Sequence, residues 1–327
     1  MLIDSQPAIV VPRVSVIIPT YNAGSDFGGL LERLQQQTLA PHEIIVVDSS
    51  STDGTAERSQ RAGVRVFSIL QSEFDHGGTR NYAAGLAEGD VLVFMTQDAI
   101  PDNDFMLEEL VKPFQDGKIS CVYGRQLARP DANVLERLSR GFNYPEQSSV
   151  KDQGDIPRMG IKTFFCSNVC AAVRKDIFLE LGRFPEPVIF NEDLFFAAKC
   201  ILQGYTVAYA AEARVVHSHD YTLIQQFRRF FDNGVSMRNN DWVFQYSAVG
   251  KEGSRLVKTQ LNALHRQRKW HWMPRLFAES AAKLFGYQLG KRYRSLPQGL
   301  CIRFSMHRKI WDKLNATAAA KGKGMSI

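Results

Sequence analysis

Residues 43–69, "EIIVVDSSSTDGTAERSQRAGVRVFSI", compress a strand, a helix and a second strand into one short segment. Glu43–Asp48 is an apolar run closed by an acid, the pattern of a strand buried on both faces. Ser51–Gly63 reads as a polar loop and a short helix stopped by Gly63, and Val64–Ile69 is the next apolar run. Two buried strands joined through a helix run parallel, because a hairpin turn cannot contain the helix. The same alternation extends outward. Upstream, "VSVIIP" (14–19) is an apolar strand closed by Pro19, and Phe27, Leu30, Leu31 and Leu34 follow at helical spacing. Downstream, helix signals run from Thr79 to Ala87, and "DVLVFM" (90–95) leads straight into "TQDAIPD" (96–102). The reading is an α/β fold with a mostly parallel central sheet covered by helices on both faces. Ligands of such sheets gather at the carboxyl ends of the strands. Polar residues cluster there, at Thr20 to Asn22, Asp48 to Asp53, His76 to Asn81, and Gln97 to Asp98.

The remainder is less regular. Residues 124–160 read as polar and loop-like, with a helix around Val134 to Phe142. "TFFCSNVCAAV" (163–173) reads as a strand. "NEDLFFAAKCILQG" (191–204) reads as a helix with two acids in its first turn and Gly204 at its end. In "TLIQQFRRFFDNG" (222–234), Leu223, Ile224, Phe227, Phe230 and Phe231 share one helical face. From about Ser254 the chain becomes long, basic and helix-prone, and its last dozen residues read as a frayed tail. The expected organisation is a catalytic-type α/β domain over residues 1–250 and a basic helical C-terminal extension over 251–327.

Composition narrows the classes. The 327 residues are 44% hydrophobic and 23% charged, which suits a globular protein, and the net charge is +6. That charge is uneven: the first 250 residues are net acidic, and Lys and Arg far outnumber Asp and Glu after Lys251. An acidic body argues against nucleic acid as the partner. The start lacks the pattern of a signal peptide, and no stretch of eighteen apolar residues predicts a membrane-spanning helix. The five cysteines form no CxxC pair and read as buried free thiols.

The chemistry is not that of the common phosphate loops. There is no GxGxxG after the first strand, no GxxxxGK[ST] and no GxSxG. What remains is isolated acids at strand ends. Asp98 is either a turn residue or a ligand for a divalent cation, since Mg²⁺ or Mn²⁺ accepts one or two carboxylates plus phosphate oxygens.

"VSVIIPTYN", "EIIVVDSSSTDGT", "GGTRNYAAGLAEGDVLVFMTQD" and "NEDL", in this order and spacing, resemble the signature blocks of family 2 glycosyltransferases, inverting enzymes of the GT-A fold. The resemblance covers roughly residues 13 to 235. "FDHGGTRN", "TQDAIP" and "HSHDYT…QQFRRFFDNG" further resemble bacterial rhamnosyltransferases that use dTDP-L-rhamnose. A UDP-hexose donor, or a nucleotide-sugar-binding protein without catalysis, are the alternatives.

The resemblance implies a Rossmann-like GT-A sheet and a set of site residues. Pro19, Thr20, Tyr21 and Asn22 match the start of the nucleotide site, and Asp48 the acid that faces base and ribose. Ser50 lies in the following loop; Asp53 there is equally a helix-capping acid. Arg80 matches a base- or phosphate-contacting residue, with Gly77 and Gly78 permitting close approach. The family's acid-x-acid is thinned here to Thr96-Gln97-Asp98, which leaves Gln97 among the donor contacts and Asp98 as metal ligand. His217 and His219 point the same way on an extended segment, and His219 is preferred as the partner of Asp98 around Mg²⁺ or Mn²⁺. Glu192 and Asp193 match the family's acid pair, with Asp193 as the base that deprotonates the acceptor, or else both acids only stabilise a helix N-terminus. Arg228 and Arg229 face the diphosphate or form a solvated basic face. The implied partners are a nucleotide-sugar donor and a glycan or lipid-linked glycan acceptor. The aromatic and basic C-terminal segment implies a cytoplasmic protein held peripherally at the inner face of the cell membrane, with a homo-oligomer left open.

Overall fold

The structure, a computed structural model, describes residues 12–246 and 252–323. The described strands are β1 (Val14–Thr20), β2 (Glu43–Asp48), β3 (Arg65–Ser68), β4 (Val91–Met95), β5 (Ile100–Pro101), β6 (Ile119–Leu127), β7 (Ser149–Lys151), β8 (Cys170–Arg174) and β9 (Thr206–Val216). The helices are α1 (Phe27–Gln35), α2 (Thr55–Arg61), α3 (His76–Leu86), α4 (Met106–Val111), α5 (Val134–Asn143), α6 (Ile156–Met159), α7 (Lys175–Glu180), α8 (Glu192–Leu202), α9 (Leu223–Asn239), α10 (Glu252–Arg266), α11 (Met273–Lys291), α12 (Gln298–Phe304) and α13 (Ile310–Lys323).

One sheet runs in the order β3-β2-β1-β4-β8-β6-β9-β5, with β7 paired to β9. The β1–β4 half is parallel throughout, as its helical crossovers require. The second half is mixed. β8 runs antiparallel between β4 and β6, β6 and β9 are parallel, and β5 and β7 oppose β9. The continuous apolar runs serve both faces. Val14, Val16 and Ile18 pack with Phe27, Leu30, Leu31 and Leu34 of α1 and with α4. Ile17, Ile45, Val47, Leu92 and Phe94 pack under α3, α7 and α8.

Several elements differ from the sequence reading. α3 begins at His76, because Asp75 caps it by accepting the Gly78 N–H at 2.7 Å. β6, within and before a segment read as loop, was hidden by Ser120, Gly124, Arg125 and Gln126 interrupting its apolar pattern. Residues 160–164 form a 3₁₀ turn and β8 starts only at Cys170, so "TFFCSNV" is a connection. α9 passes through Gly234 to Asn239. Its buried side is Gln226, Phe231, Asp232, Gly234, Val235, Ser236 and Met237, whereas Leu223 and Ile224 are exposed. α13 is helical through Lys323, where a frayed tail was expected, and 324–327 lie outside the described residues.

The expected division at 250/251 falls on residues 247–251, also outside the described residues. The helices beyond it share cores with the preceding chain. Leu264 and Leu276 pack with Val134 and Leu135, and Cys301, Ile310 and Trp311 with Ile189, Phe231 and Val235. Between α9 and α11 the backbones touch: a side chain at Gly286 or Gly290 would overlap the carbonyl oxygen of Phe227 or Phe231. Asp232, buried, accepts the N–H groups of Met306 (2.7 Å) and His307 (3.2 Å), which fastens the last segment to α9. All five cysteines are buried and free.

Candidate active site

The carboxyl ends of β1, β2 and β4 build one wall. The Thr20 hydroxyl donates to Asp48 at 2.9 Å, and Asp48 also accepts the Ser51 N–H and hydroxyl. Asn22 and Ser50 take positive φ values of 45° and 62°, conformations that Asn and Ser tolerate better than bulkier residues. Asn22 is locked by exchanging hydrogen bonds with Ser51 and Thr52. Asp53 accepts from Gly24, Thr55 and Arg58, so it braces the start of α2 in the manner of the helix-capping alternative. Gln97 clamps Tyr21 by both backbone groups, accepting its N–H at 2.8 Å and donating to its carbonyl at 3.2 Å. Pro19 sits half-buried near the end of β1, and Tyr21, its backbone held and the residue 44% exposed, faces outward, as Asn22 and Ser50 also do.

Three sequence expectations change. Asp48 is 2% exposed and its oxygens serve Thr20 and Ser51, so it braces the loops and does not present an open face. Gly77 lies inside α3, where a Cβ would collide with the Pro185 carbonyl; the close approach that needs glycine comes from the chain itself. Arg80 is 3% exposed and faces inward. Its guanidinium pairs with Glu192 at 3.3 Å and donates to the His76 carbonyl at 3.0 Å, which explains a cation here without any ligand. Asn81 on the next position of α3 is likewise structural, bonded to Phe184.

The acid pair is held from the connection before β8. Asn168 donates its N–H to Asp193 at 2.9 Å and its side-chain amide to Glu192 at 3.1 Å. Asn191, at φ 67°, turns the chain into α8 so that both acids fall in its first turn. Glu192 is buried against Arg80. Asp193 is half-buried; desolvation and the neighbouring Glu192 charge push its carboxyl up to about 7, against the N–H donors of Asn168 and Leu194. A carboxylate poised near neutrality is suited to accept a proton at working pH. Glu192 is closed off from solvent by its partners Arg80 and Asn168.

A second cluster stands where β4 and β9 end. Asp98, His217 and His219 present ligand atoms all within 4.8 Å of one another. The Nε2 atoms of His217 and His219 lie 3.4 and 3.3 Å from the Asp98 carboxylate. Gln126 decides the tautomer of His217. Its amide nitrogen donates to Ser167 at 2.9 Å and its oxygen accepts from Arg140, so the same oxygen faces His217 Nδ1 at 3.2 Å as acceptor. With Nδ1–H donated there, His217 turns its Nε2 toward Asp98, the arrangement typical of a metal-ligating histidine. Burial, His217 and the nearby arginines push His219 down to about 4, so it offers a lone pair at neutral pH. Burial alone would raise the Asp98 carboxyl, but His217 and His219 outweigh it and hold it well below the usual range. Two imidazoles and a carboxylate so placed can hold a divalent cation, and the donor set suits Mn²⁺ better than Mg²⁺, which prefers oxygen ligands.

The two clusters are joined by adjacent residues: Ser167 holds Gln126, and Asn168 holds the acids. Arg229 completes the rim, its guanidinium over the rings of Phe190 (5.2 Å) and Tyr221 (5.6 Å), with Tyr221 itself beside His219. Arg228 is half-buried on the same helix. Gln126, Asn168 and the role of His217 were not foreseen from sequence. The first two come from a strand and a loop that carry no motif; His217 was visible in the HxH pair.

Residues 15–182 match the model for glycosyl transferase family 2. The chain belongs to this family. As a family 2 glycosyltransferase it is 43% identical over 314 residues, 95% of its length, to the whole of the O-antigen chain rhamnosyltransferase RfbN of Salmonella typhimurium. It is 42% identical, over 96% of its length, to the whole of the O-antigen chain rhamnosyltransferase WbaN of Salmonella anatum. Among solved structures, the mannosyltransferase PcManGT from Pyrobaculum calidifontis, in complex with GDP-Man and Mn²⁺, shares the fold. Its TM-score is 0.55 at 21% identity, over 84% of this chain and 87% of that one.

Proposed function

We propose that this family 2 glycosyltransferase is an inverting rhamnosyltransferase of cell-surface polysaccharide synthesis, moving L-rhamnose from dTDP-L-rhamnose to a saccharide or lipid-linked saccharide. The observation that carries the reading is the end-to-end similarity to two O-antigen chain rhamnosyltransferases at 42–43% identity. Asp193 removes the proton of the acceptor hydroxyl as that oxygen attacks the anomeric carbon from the side opposite the diphosphate. Asn168, Glu192 and Arg80 hold the base in place. The wall of Pro19, Thr20, Tyr21, Asn22, Ser50 and Gln97 receives the nucleotide, with Asp48 stiffening it from beneath. Asp98, His217 and His219 hold Mg²⁺ or Mn²⁺, which when bound supplies positive charge to the leaving diphosphate. Arg229, with Arg228 behind it, adds to that charge.

In this reading residues 1–250 carry the chemistry and residues 251–327 hold the protein peripherally at the cytoplasmic face of the membrane. Among the described residues no helix is long and apolar enough to cross a membrane. The test is a thermal-shift series with dTDP-, UDP- and GDP-sugars, with and without Mn²⁺. A ligand that binds only the folded state raises its melting point. The dTDP-sugar should shift it most, and more with the cation. Equal shifts for all nucleotides would remove the donor assignment, and a UDP-hexose preference would replace it.

A further inference from the structure

A second concavity lies a helix length from the site just described. α9 starts four residues after His219 and ends at Asn239, about 25 Å further along at 1.5 Å per residue. At its far end, where α11 also ends, a cavity of about 390 Å³ is lined by Arg238, Phe244, Gln288, Lys291, Arg292, Arg294 and Ser295. Four of these seven side chains are cations and none is an acid. Arg238 reaches Asp241 outside the lining at 3.3 Å. Among the described residues Arg294 has the neutral partners Asn239 and Tyr293, and Lys291 stands over the rings of Tyr287 and Phe244. Basic residues at helix C-termini answer the helix dipole, which explains one or two of them. With Arg238 paired to Asp241, Lys291, Arg292 and Arg294 still converge on one concavity whose lining holds no acid, and their mutual repulsion favours a bound anion.

The outer face of α11 leads away from this pocket. Phe277, Leu284 and Phe285 are 55%, 57% and 63% exposed. At 100° per residue they fall with Gln288 and Arg292 on one face roughly 100° wide. The same face is thus apolar along its first turns and cationic where it meets the cavity. That order, hydrocarbon-matching surface followed by an anion site, is the order of groups in a phospholipid.

We infer that this pocket binds the phosphate headgroup of an anionic membrane lipid, with Phe277, Leu284 and Phe285 laid against the acyl region. The inference rests on the peripheral-membrane reading above and names the residues that perform it. The four cations replace the lipid's counterions, Arg292 and Arg294 offering planar donor pairs to phosphate oxygens. With α11 inclined to the surface, the rings reach the acyl boundary while its cationic end stays at headgroup level.

The test is co-sedimentation of the full chain with vesicles of phosphatidylcholine alone or mixed with phosphatidylglycerol. Arg292→Ser, at an exposed position, should lower partitioning into the anionic vesicles about 5-fold, since each basic residue at such a surface contributes about that factor. Lys291→Gln should add a similar loss. Arg266→Ser, an exposed cation elsewhere in the same basic region, should change it less than about 2-fold. Phe285→Ser should weaken the part of binding that survives high salt. Far-UV circular dichroism confirms that each variant is folded. If the wild-type chain ignores anionic vesicles, the peripheral-membrane reading itself fails. If it binds but Arg292→Ser and Arg266→Ser lose equally, attraction is diffuse and the pocket assignment alone is wrong. If inorganic pyrophosphate stabilises the protein through Arg292 while vesicles do not bind, the pocket serves a soluble phosphate and the lipid assignment is overturned.

Discussion

Asp193 links the geometry of the acid pair to a measurable pH dependence. Its carboxyl is pushed up to about 7, first by desolvation and then by the charge of Glu192. Proton acceptance needs the ionised form, so transfer should fall as pH drops through about 7, roughly tenfold per unit below it, and level off above. Glu192→Gln removes one of the two causes while keeping an oxygen for Arg80 and Asn168 to address. The charge of Arg80 then acts on Asp193 without its counterweight, and the acid limb should move to lower pH. Asp193→Asn keeps the shape but cannot take the proton. It should lower the rate by about 10²–10⁴-fold and abolish the limb, while the melting shift on adding donor survives, because the nucleotide wall is built elsewhere. The assay is initial rate of sugar transfer against pH at saturating donor, with thermal shift run in parallel. The sign for stability is opposite to that for activity. A carboxyl raised in the folded state stabilises the fold at low pH and loses that contribution as pH rises through about 7. Normal turnover in Asp193→Asn, or an unmoved limb in Glu192→Gln, would refute the assignment of the base and of the charge that tunes it.

Four further outcomes are expected. Arg80→Met leaves Glu192 buried without its cation and should cost about 3–5 kcal/mol, read as a lower urea midpoint, whereas a ligand-contacting arginine would alter donor affinity with little change in stability. Gly290→Ala drives a methyl into the Phe231 carbonyl and should cost about 1–3 kcal/mol by the same measurement. Gly299→Ala on α12, with open space around it, should be neutral or slightly stabilising. Asp98→Asn, His217→Gln and His219→Gln should each weaken Mn²⁺ binding in calorimetry, and Gln126→Leu should do so by releasing the ring of His217, by about 10–100-fold; loss from His219→Gln alone would return His217 to a packing role.

The parallel half of the sheet was legible because its strands are buried on both faces and so read as unbroken apolar runs. β6 was not, because it carries Gln126, which orients His217, and Arg125, which pairs with Glu146, and polar residues erase the pattern that identifies strands. Motif spacing located Asp98, Glu192 and Asp193. It could not tell which of two adjacent acids is open and which is buried, since that depends on Arg80, 112 residues away in sequence. Nor could it tell a glycine that admits a ligand from one that admits Pro185. Gly77 and Arg80 look like ligand residues because close approach and paired charge are the same physics whether the partner is a nucleotide or another part of the chain.

The thinned acid motif has an electrostatic consequence that the histidines make good. Where two carboxylates hold a divalent cation, the site is formally neutral. Here Thr96 stands in place of the first acid, and the groups brought together are one carboxylate and two imidazoles, of which His219 is pushed down to about 4 and is neutral at pH 7. A divalent cation held by them keeps one net positive charge, directed at whatever anion shares the cleft. Arg229 adds a second nearby, while its guanidinium stays stacked on Phe190 and Tyr221 and so cannot collapse onto Asp98. In the proposed reaction a single carboxylate would trade cation affinity, which two carboxylates would supply better, for attraction to the leaving group, and the site would depend more on the orientation of His217 that Gln126 enforces.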